Sequence, residues 1–133
     1  MSWTTYHYAD GIYVTFCGDT TGDELVRANT DFHTHARNCY PRFAVFDFSS
    51  VRRFDVDRAA MDHLIAQNLI AADAVPELAV AIVAPEPATY YAARVWEHSV
   101  EHTAWRMRIV RSAAGALRWL SDQGITTVTI ELA

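Results

Sequence analysis

The sequence contains no lysine, and all eleven of its basic residues are arginines. We read that bias as codon usage rather than function, because the arginines form no basic cluster. Sixteen acids bring the net charge to −5. An acidic chain without a basic patch lacks the electrostatic footprint of a nucleic-acid binder. Cysteine is scarce as well: Cys17 and Cys39 are too few for a disulfide scaffold and have no CxxC spacing. With only five glycines there is no Gly-rich phosphate loop, and no Gly-x-Ser-x-Gly elbow occurs. No run approaches the roughly 20 apolar residues of a membrane span. Met1 to Thr5 lacks the basic start and apolar stretch of a signal peptide, so a cytoplasmic location is expected. Global disorder is excluded by a composition of 51% hydrophobic and 20% charged residues. What remains is a chain of 133 residues, the size of one domain spanning 1–133, able to fold without disulfides or metal.

Alternation opens the chain. Tyr6 and Tyr8 point one way and His7 the other, and Asp10-Gly11 is a turn dipeptide. Ile12, Val14 and Phe16 then alternate with Tyr13, Thr15 and Cys17, which predicts a β-hairpin whose second strand ends at Gly18 and Asp19. Thr20, Thr21 or Asp23 can cap a helix reaching about Cys39, with Leu25, Ala28, Phe32, Ala36 and Cys39 as its inner stripe. Pro41 stops it. The apolar runs Phe43 to Phe48 and Leu78 to Ala84 have the length of strands buried on both faces. Between them Ser49 and Ser50 read as a loop, and Asp55 or Asp57 as the cap of a helix whose face is Met61, Leu64, Ile65, Leu69 and Ala72. A third helix is predicted from about Ala88 to His102 with Ala92, Val95, Trp96 and Ser99 inward, followed by a strand over Trp105 to Val110. A fourth helix runs from Ser112 to about Gln123, burying Ala113, Ala116, Leu117 and Leu120, with Gly124 as its stop. Thr127 to Leu132 alternates again and is a candidate for one more, C-terminal strand. The order β-β-α-β-α-β-α-β-α predicts an α/β domain with a mixed sheet, parallel after its antiparallel start and covered by four helices.

This order, with Val45-Phe46-Asp47-Phe48-Ser49-Ser50-Val51 running into Phe54-Asp55, resembles the STAS domains of the SpoIIAA type, the anti-sigma-factor antagonists and their relatives. Phe16-Cys17-Gly18-Asp19-Thr20-Thr21 resembles the less characterised STAS/SEC14-like bacterial domains. So do Ala81-Ile82-Val83-Ala84-Pro85 leading into Ala92-Ala93-Arg94, and Ala116-Leu117-Arg118-Trp119-Leu120. The resemblance covers about residues 4 to 122 and implies a SpoIIAA/STAS-like fold and a regulatory role. In the antagonists a helix opens on Asp-Ser-Ser-Gly, whose second serine a partner kinase phosphorylates. Laid on this chain, that motif falls on Asp55-Val56-Asp57-Arg58, which keeps the first Asp but lacks both serines and the glycine. Asp57 stands at the phosphorylated position. It is either a first-turn acid, favourable by about 0.3–1 kcal/mol through the helix dipole, or a fixed imitation of the phosphorylated state. With Ser49 and Ser50, at the sheet edge where α/β folds place ligands, Asp55 and Asp57 are the candidate regulatory positions.

Three constellations carry residue types capable of chemistry. His98-Ser99-Val100-Glu101-His102 matches the H-x-x-E-H pattern of inverted zincins, in which both histidines share a helix face and Glu101 acts as base. No strong third ligand follows, and histidines at a helix end also meet its terminal carbonyls favourably. His33, His35 and Cys39 form a second group in which only His35 and Cys39 share a face. Asp47 interrupts an apolar strand, and since an unpaired buried carboxylate is expensive, it should be hydrogen-bonded. No cofactor and no metal is expected, His98 and His102 being the only weak metal candidates.

The aromatics are the remaining signal. Tyr90, Tyr91 and Trp96 crowd one helix, Trp105 opens the next strand and Trp119 lies beyond it. One stripe cannot bury all of the first three with Ala92 and Val95, so Tyr90, Tyr91, Trp96 and Trp105 are candidates for an interface. The sequence therefore favours a non-enzymatic STAS-like regulatory or protein-interaction domain, homodimeric and with a protein partner. The alternative is a binder of a small apolar, lipid-like ligand, which the SEC14-like part of the resemblance implies. A metal-dependent hydrolase built on His98, Glu101 and His102 is the weaker alternative.

Overall fold

The computed structural model of the chain describes residues 2–125. The candidate C-terminal strand over 127–132 lies outside them. Five strands and four helices follow one another in the expected order: β1 Trp3–Tyr8, β2 Gly11–Thr21, α1 Gly22–Cys39, β3 Phe43–Asp55, α2 Arg58–Ala74, β4 Ala79–Val83, α3 Pro87–Ser99, β5 Arg106–Val110 and α4 Ala113–Asp122. The sheet order is β1-β2-β3-β4-β5. β1 is antiparallel to β2 and every later pair is parallel.

Both apolar runs are buried on two faces, as their composition requires. Phe43, Ala44 and Val45 in β3 and all of Ala79–Val83 in β4 are buried. Ala44, Phe48, Val80 and Ile82 point into a layer made with α1, α2 and α3, and Val45, Ala81 and Val83 meet Ala116 and Leu120 of α4 on the opposite face. The sheet thus carries three helices on one side and one on the other. α4 lies over β3, β4 and β5.

The hairpin turns one position earlier than Asp10-Gly11 suggests. Tyr8 pairs with Gly11, which leaves Ala9 and Asp10 as the turn, and neither has a positive φ. Gly11 is needed for a different reason: a Cβ on it would fall inside the ring of Phe43. The second strand also does not end at Gly18 and Asp19. β2 continues to Thr21 through a register shift beside Gly18, whose φ of 68° is left-handed. β3 likewise passes through Ser49 and Ser50 without a loop and reaches Asp55. These halves pair with each other beyond β4, since β4 pairs only with Phe43 to Asp47. Their side chains are mostly polar and exposed, which is why the segment reads as a loop, although Phe54 meets Trp96 of α3 and Thr20 is buried.

The α3 face is rotated from the one expected. Thr89, Ala93 and Trp96 are buried, whereas Ala92 and Ser99 are half-buried and Val95 is 46% exposed. The register is set by Trp96, which stacks on Phe48 at 5.9 Å between ring centroids. Thr89 accepts burial because its hydroxyl donates to the Glu86 carbonyl at 3.1 Å. Cys39, expected in the α1 stripe, is exposed. In α4 the inner face is Ala116 and Leu120, with Ala113 and Leu117 half-buried.

Candidate functional site

The N-termini of α1 and α2 emerge side by side at the carboxyl ends of β2 and β3. Thr21 caps α1, accepting the Glu24 amide at 3.3 Å while its hydroxyl donates to Glu24 Oε1 at 3.2 Å. Glu24 also accepts the Ser2 amide at 3.0 Å, and hydrogen bonding to Ser2 lowers its pKa. Asp57 caps α2 by accepting the Ala60 amide at 2.9 Å. The two termini approach so closely that a Cβ on Gly22 would lie 2.7 Å from that of Ala60. Between them runs an open groove of about 650 Å³ bordered by Asp23, Arg27, Asp57 and His63. Two carboxylates, a guanidinium and an imidazole thus border two helix N-termini. Asp55, the other expected cap, ends β3 and is exposed.

Asp47 lies on the face of β3 that also carries Val45. It is buried and fully engaged: Oδ2 accepts the Tyr13 hydroxyl at 2.5 Å, and Oδ1 accepts the Ser49 amide at 2.9 Å and the Ser49 hydroxyl at 2.6 Å. Burial, then the bond to Asp47, raises the Tyr13 phenol well above the ordinary tyrosine value, so it stays protonated and donating. Ser49 is therefore a partner of Asp47 in mid-strand rather than a loop residue. Ser50 is exposed and pairs in register with Cys17. The sequence shows that Asp47 needs a partner but not which one, because Tyr13 lies 34 residues away.

Of the four aromatics expected at an interface, two are core side chains. Trp96 and Trp105 are buried, with Trp105 Nε1 donating to the Val75 carbonyl at 2.7 Å. The cause is the aromatic layer beneath α1–α3: Phe16 stacks on Phe48 at 4.7 Å and Phe32 meets Phe46 edge-on at 5.2 Å. Tyr90 is half-buried and Tyr91 is 69% exposed. The layer encloses a cavity of about 40 Å³. Sites for drug-sized ligands start at about 300 Å³, well above this volume.

A polar seam without a local sequence signature runs beside this layer. Asn29 Nδ2 donates to Gln67 Oε1 at 2.9 Å and to Asn68 Oδ1 at 3.1 Å, and Gln67 Nε2 donates to the Thr30 hydroxyl at 2.7 Å. It joins α1 to α2. His33 lies beside it, 9% exposed, with its pKa lowered to about 4 chiefly by burial. The remaining histidines do not assemble into a metal centre. α3 ends at Ser99, so Glu101 and His102 fall in the following turn and only His98 is helical; its Nδ1 lies 3.2 Å from Glu101 Oε2 at an exposed position. His35 Nδ1 is 3.8 Å from Cys39 Sγ and its ring is 4.4 Å from that of His7, while His33 faces the core. Among the described residues no group of three such side chains is placed to hold a metal ion, and no helix is long and apolar enough to cross a membrane.

No family model matches the sequence, and no curated protein matches it. Solved structures do. An uncharacterised protein of the DUF3478 family from Shewanella loihica PV-4, with a SpoIIAA-like fold, superposes with a TM-score of 0.58 at 17% identity, over 89% of this chain and 91% of its own. The anti-sigma factor antagonist SpoIIAA in its unphosphorylated form superposes with a TM-score of 0.54 at 11% identity, over 92% of this chain and 99% of its own. Among the described residues, the mixed five-stranded sheet, its element order and its four helices are those of the SpoIIAA-like α/β fold.

Proposed function

We propose that this chain is a non-enzymatic regulatory domain that acts by binding a protein partner, and that it does so as a homodimer. The observation that carries the reading is the fold shared with SpoIIAA, an anti-sigma factor antagonist. Its partner surface is the groove between α1 and α2 bordered by Asp57, the residue that the resemblance sets at the phosphorylated position of the antagonists' motif. Asp57 keeps a negative charge there without a kinase, so the partner meets one constant electrostatic state. A bordering guanidinium at Arg27 and an imidazole at His63 make the groove selective for a mixed-charge surface rather than a simple anion. Homodimerisation is supported by the two outer strands of an open sheet, since exposed strand edges are templates for pairing.

The test is affinity capture from the native host with the wild type and Asp57→Asn, which keeps an N-cap oxygen and removes the charge. We expect a specific protein on the wild type and its loss on a folded Asp57→Asn. Equal retention by both removes the role of Asp57, and no specific protein on the wild type overturns the regulatory reading.

A further inference from the structure

We infer that the outer edge of β5 is a second protein-binding surface, where an extended segment alternating acidic and apolar residues adds itself to the sheet as a further strand. The inference goes beyond the groove between α1 and α2 and does not depend on it.

β5 ends the sheet and pairs with β4 on its inner side. Its ladder fixes which backbone groups turn outward. The Arg106 amide donates to the Leu78 carbonyl at 2.9 Å, and the Val110 carbonyl accepts the Ala84 amide at 2.9 Å. Alternate residues of a parallel strand bond to the same neighbour, so Arg106, Arg108 and Val110 bond toward β4. Met107 and Ile109 turn their amides and carbonyls outward, and these groups have no partner among the described residues. The described chain also ends by stepping away from this edge. Gln123 meets Arg106, the Gly124 carbonyl meets Arg42 just before β3, and Ile125 is buried in the cluster of Phe43 and Tyr13.

The two faces of the edge differ. Met107 and Ile109 are half-buried and pack against the aromatic layer beneath α1–α3. Arg106 and Arg108 alternate with them on the face that carries Val110 and α4, and both are exposed. Arg106 donates to Gln123 Oε1 at 2.7 Å, a neutral acceptor. Neither arginine joins an ion pair among the described residues. In a chain with a net charge of −5, this edge therefore carries two cations that no described acid balances.

That pattern selects its occupant by charge. Charged side chains keep sheet edges from pairing indiscriminately, and a second β5 centred antiparallel on this one would set Arg108 against Arg108. A strand with acids opposite Arg106 and Arg108 gains from the same charges, because opposite charges across strands stabilise and like charges destabilise. Residues between those acids fall on the other face, beside Met107 and Ile109, where apolar side chains lose contact with water. Strand addition of this kind takes its affinity from main-chain bonds and its specificity from alternate side chains. Attraction of one partner and repulsion of others then act through the same two arginines.

NMR titration of the isotope-labelled full chain, with amide hydrogen exchange, tests this. The probes are a short peptide alternating glutamate with valine and its counterpart alternating lysine with valine. We expect only the glutamate peptide to bind, to slow exchange at the Met107 and Ile109 amides, and to bind more weakly as salt rises. Arg108→Glu should weaken it at least about tenfold, and Arg106→Glu combined with Arg108→Glu should accept the lysine peptide instead. Circular dichroism confirms the fold of each variant. No binding of the glutamate peptide to the wild type overturns the inference, as does binding that leaves Met107 and Ile109 exchanging fast. Equal affinity for folded Arg108→Glu overturns it as well. Slow exchange at these amides without peptide would assign the edge to residues 126–133 or, if dilution removes the protection, to a second copy, and either result overturns it.

Discussion

His33 makes the stability of this domain depend on pH in a calculable way. Its ring is buried between α1 and the aromatic layer, next to Phe32 and Trp105. Burial lowers its pKa from the ordinary 6.5 to about 4, with the positive charge of Arg37 acting in the same direction and a hydrogen bond with Asn68 opposing. Between those two values the unfolded chain binds a proton at this position that the folded chain refuses, so stability rises with pH. The contribution is fully present above pH 6.5, falls as the pH drops toward 4 and is flat below it. At about 1.4 kcal/mol per pH unit, the whole loss is about 3 kcal/mol, of which about 2.5 kcal/mol has gone by pH 4.5. That is a large part of the 5–15 kcal/mol that typically holds such a domain together. Urea unfolding of the wild type and His33→Gln at pH 7.5 and 4.5 measures it. The wild type should lose about 2.5 kcal/mol more than the variant across this interval, since the other five histidines are common to both. Equal losses in the two proteins, or an imidazole at position 33 that titrates near 6.5 by NMR, would refute the reasoning.

Three further outcomes follow from packing and hydrogen bonding. Gly11→Ala drives a methyl group into the Phe43 ring, so it should destabilise by about 1–3 kcal/mol in denaturant unfolding; a change below about 0.5 kcal/mol would show that the ring moves aside freely. Tyr13→Phe deletes the donor to Asp47 Oδ2 and leaves the carboxylate only the amide and hydroxyl of Ser49. Its expected cost is about 1.5–3 kcal/mol at neutral pH, and a neutral result would mean that water replaces the phenol. Asp57→Ala should lose about 1 kcal/mol of stability through the missing cap and Asp57→Asn much less, compared by thermal melts. A Asn variant as damaged as the Ala one would place the effect in the charge instead.

The elements that could be read from the sequence are those specified by local rules. The Phe43–Phe48 and Leu78–Ala84 runs announce buried strands because sheets covered on both faces tolerate only apolar residues. Thr21, Asp57 and Ser112 each precede a helix and each accepts an amide of its first turn, as short oxygen-bearing side chains do. Such signals sit within a few residues of the structure they specify. α3 carries no such local signal, because Tyr90, Tyr91, Ala92, Ala93, Val95 and Trp96 are apolar around most of the helix and leave its inner stripe ambiguous. The same ambiguity made Trp96 and Trp105 look like surplus surface aromatics, when the layer beneath α1–α3 has room for both.

The candidate site was legible only in part. Asp57 could be placed at a helix start, but the groove beside it depends on Gly22 letting α1 approach Ala60 of α2, a contact between positions 38 residues apart. By itself the sequence determined the element order, the two buried strands and the helix starts, because periodicity and capping act over neighbouring residues. The tertiary structure alone decided the partners of Asp47, the Asn29–Gln67–Asn68 seam, the burial of His33 and the extension of β2 and β3 into a common arm. Each of these joins groups far apart in the chain, and a polar side chain in a sequence declares that it needs a partner without declaring which one the fold will bring to it.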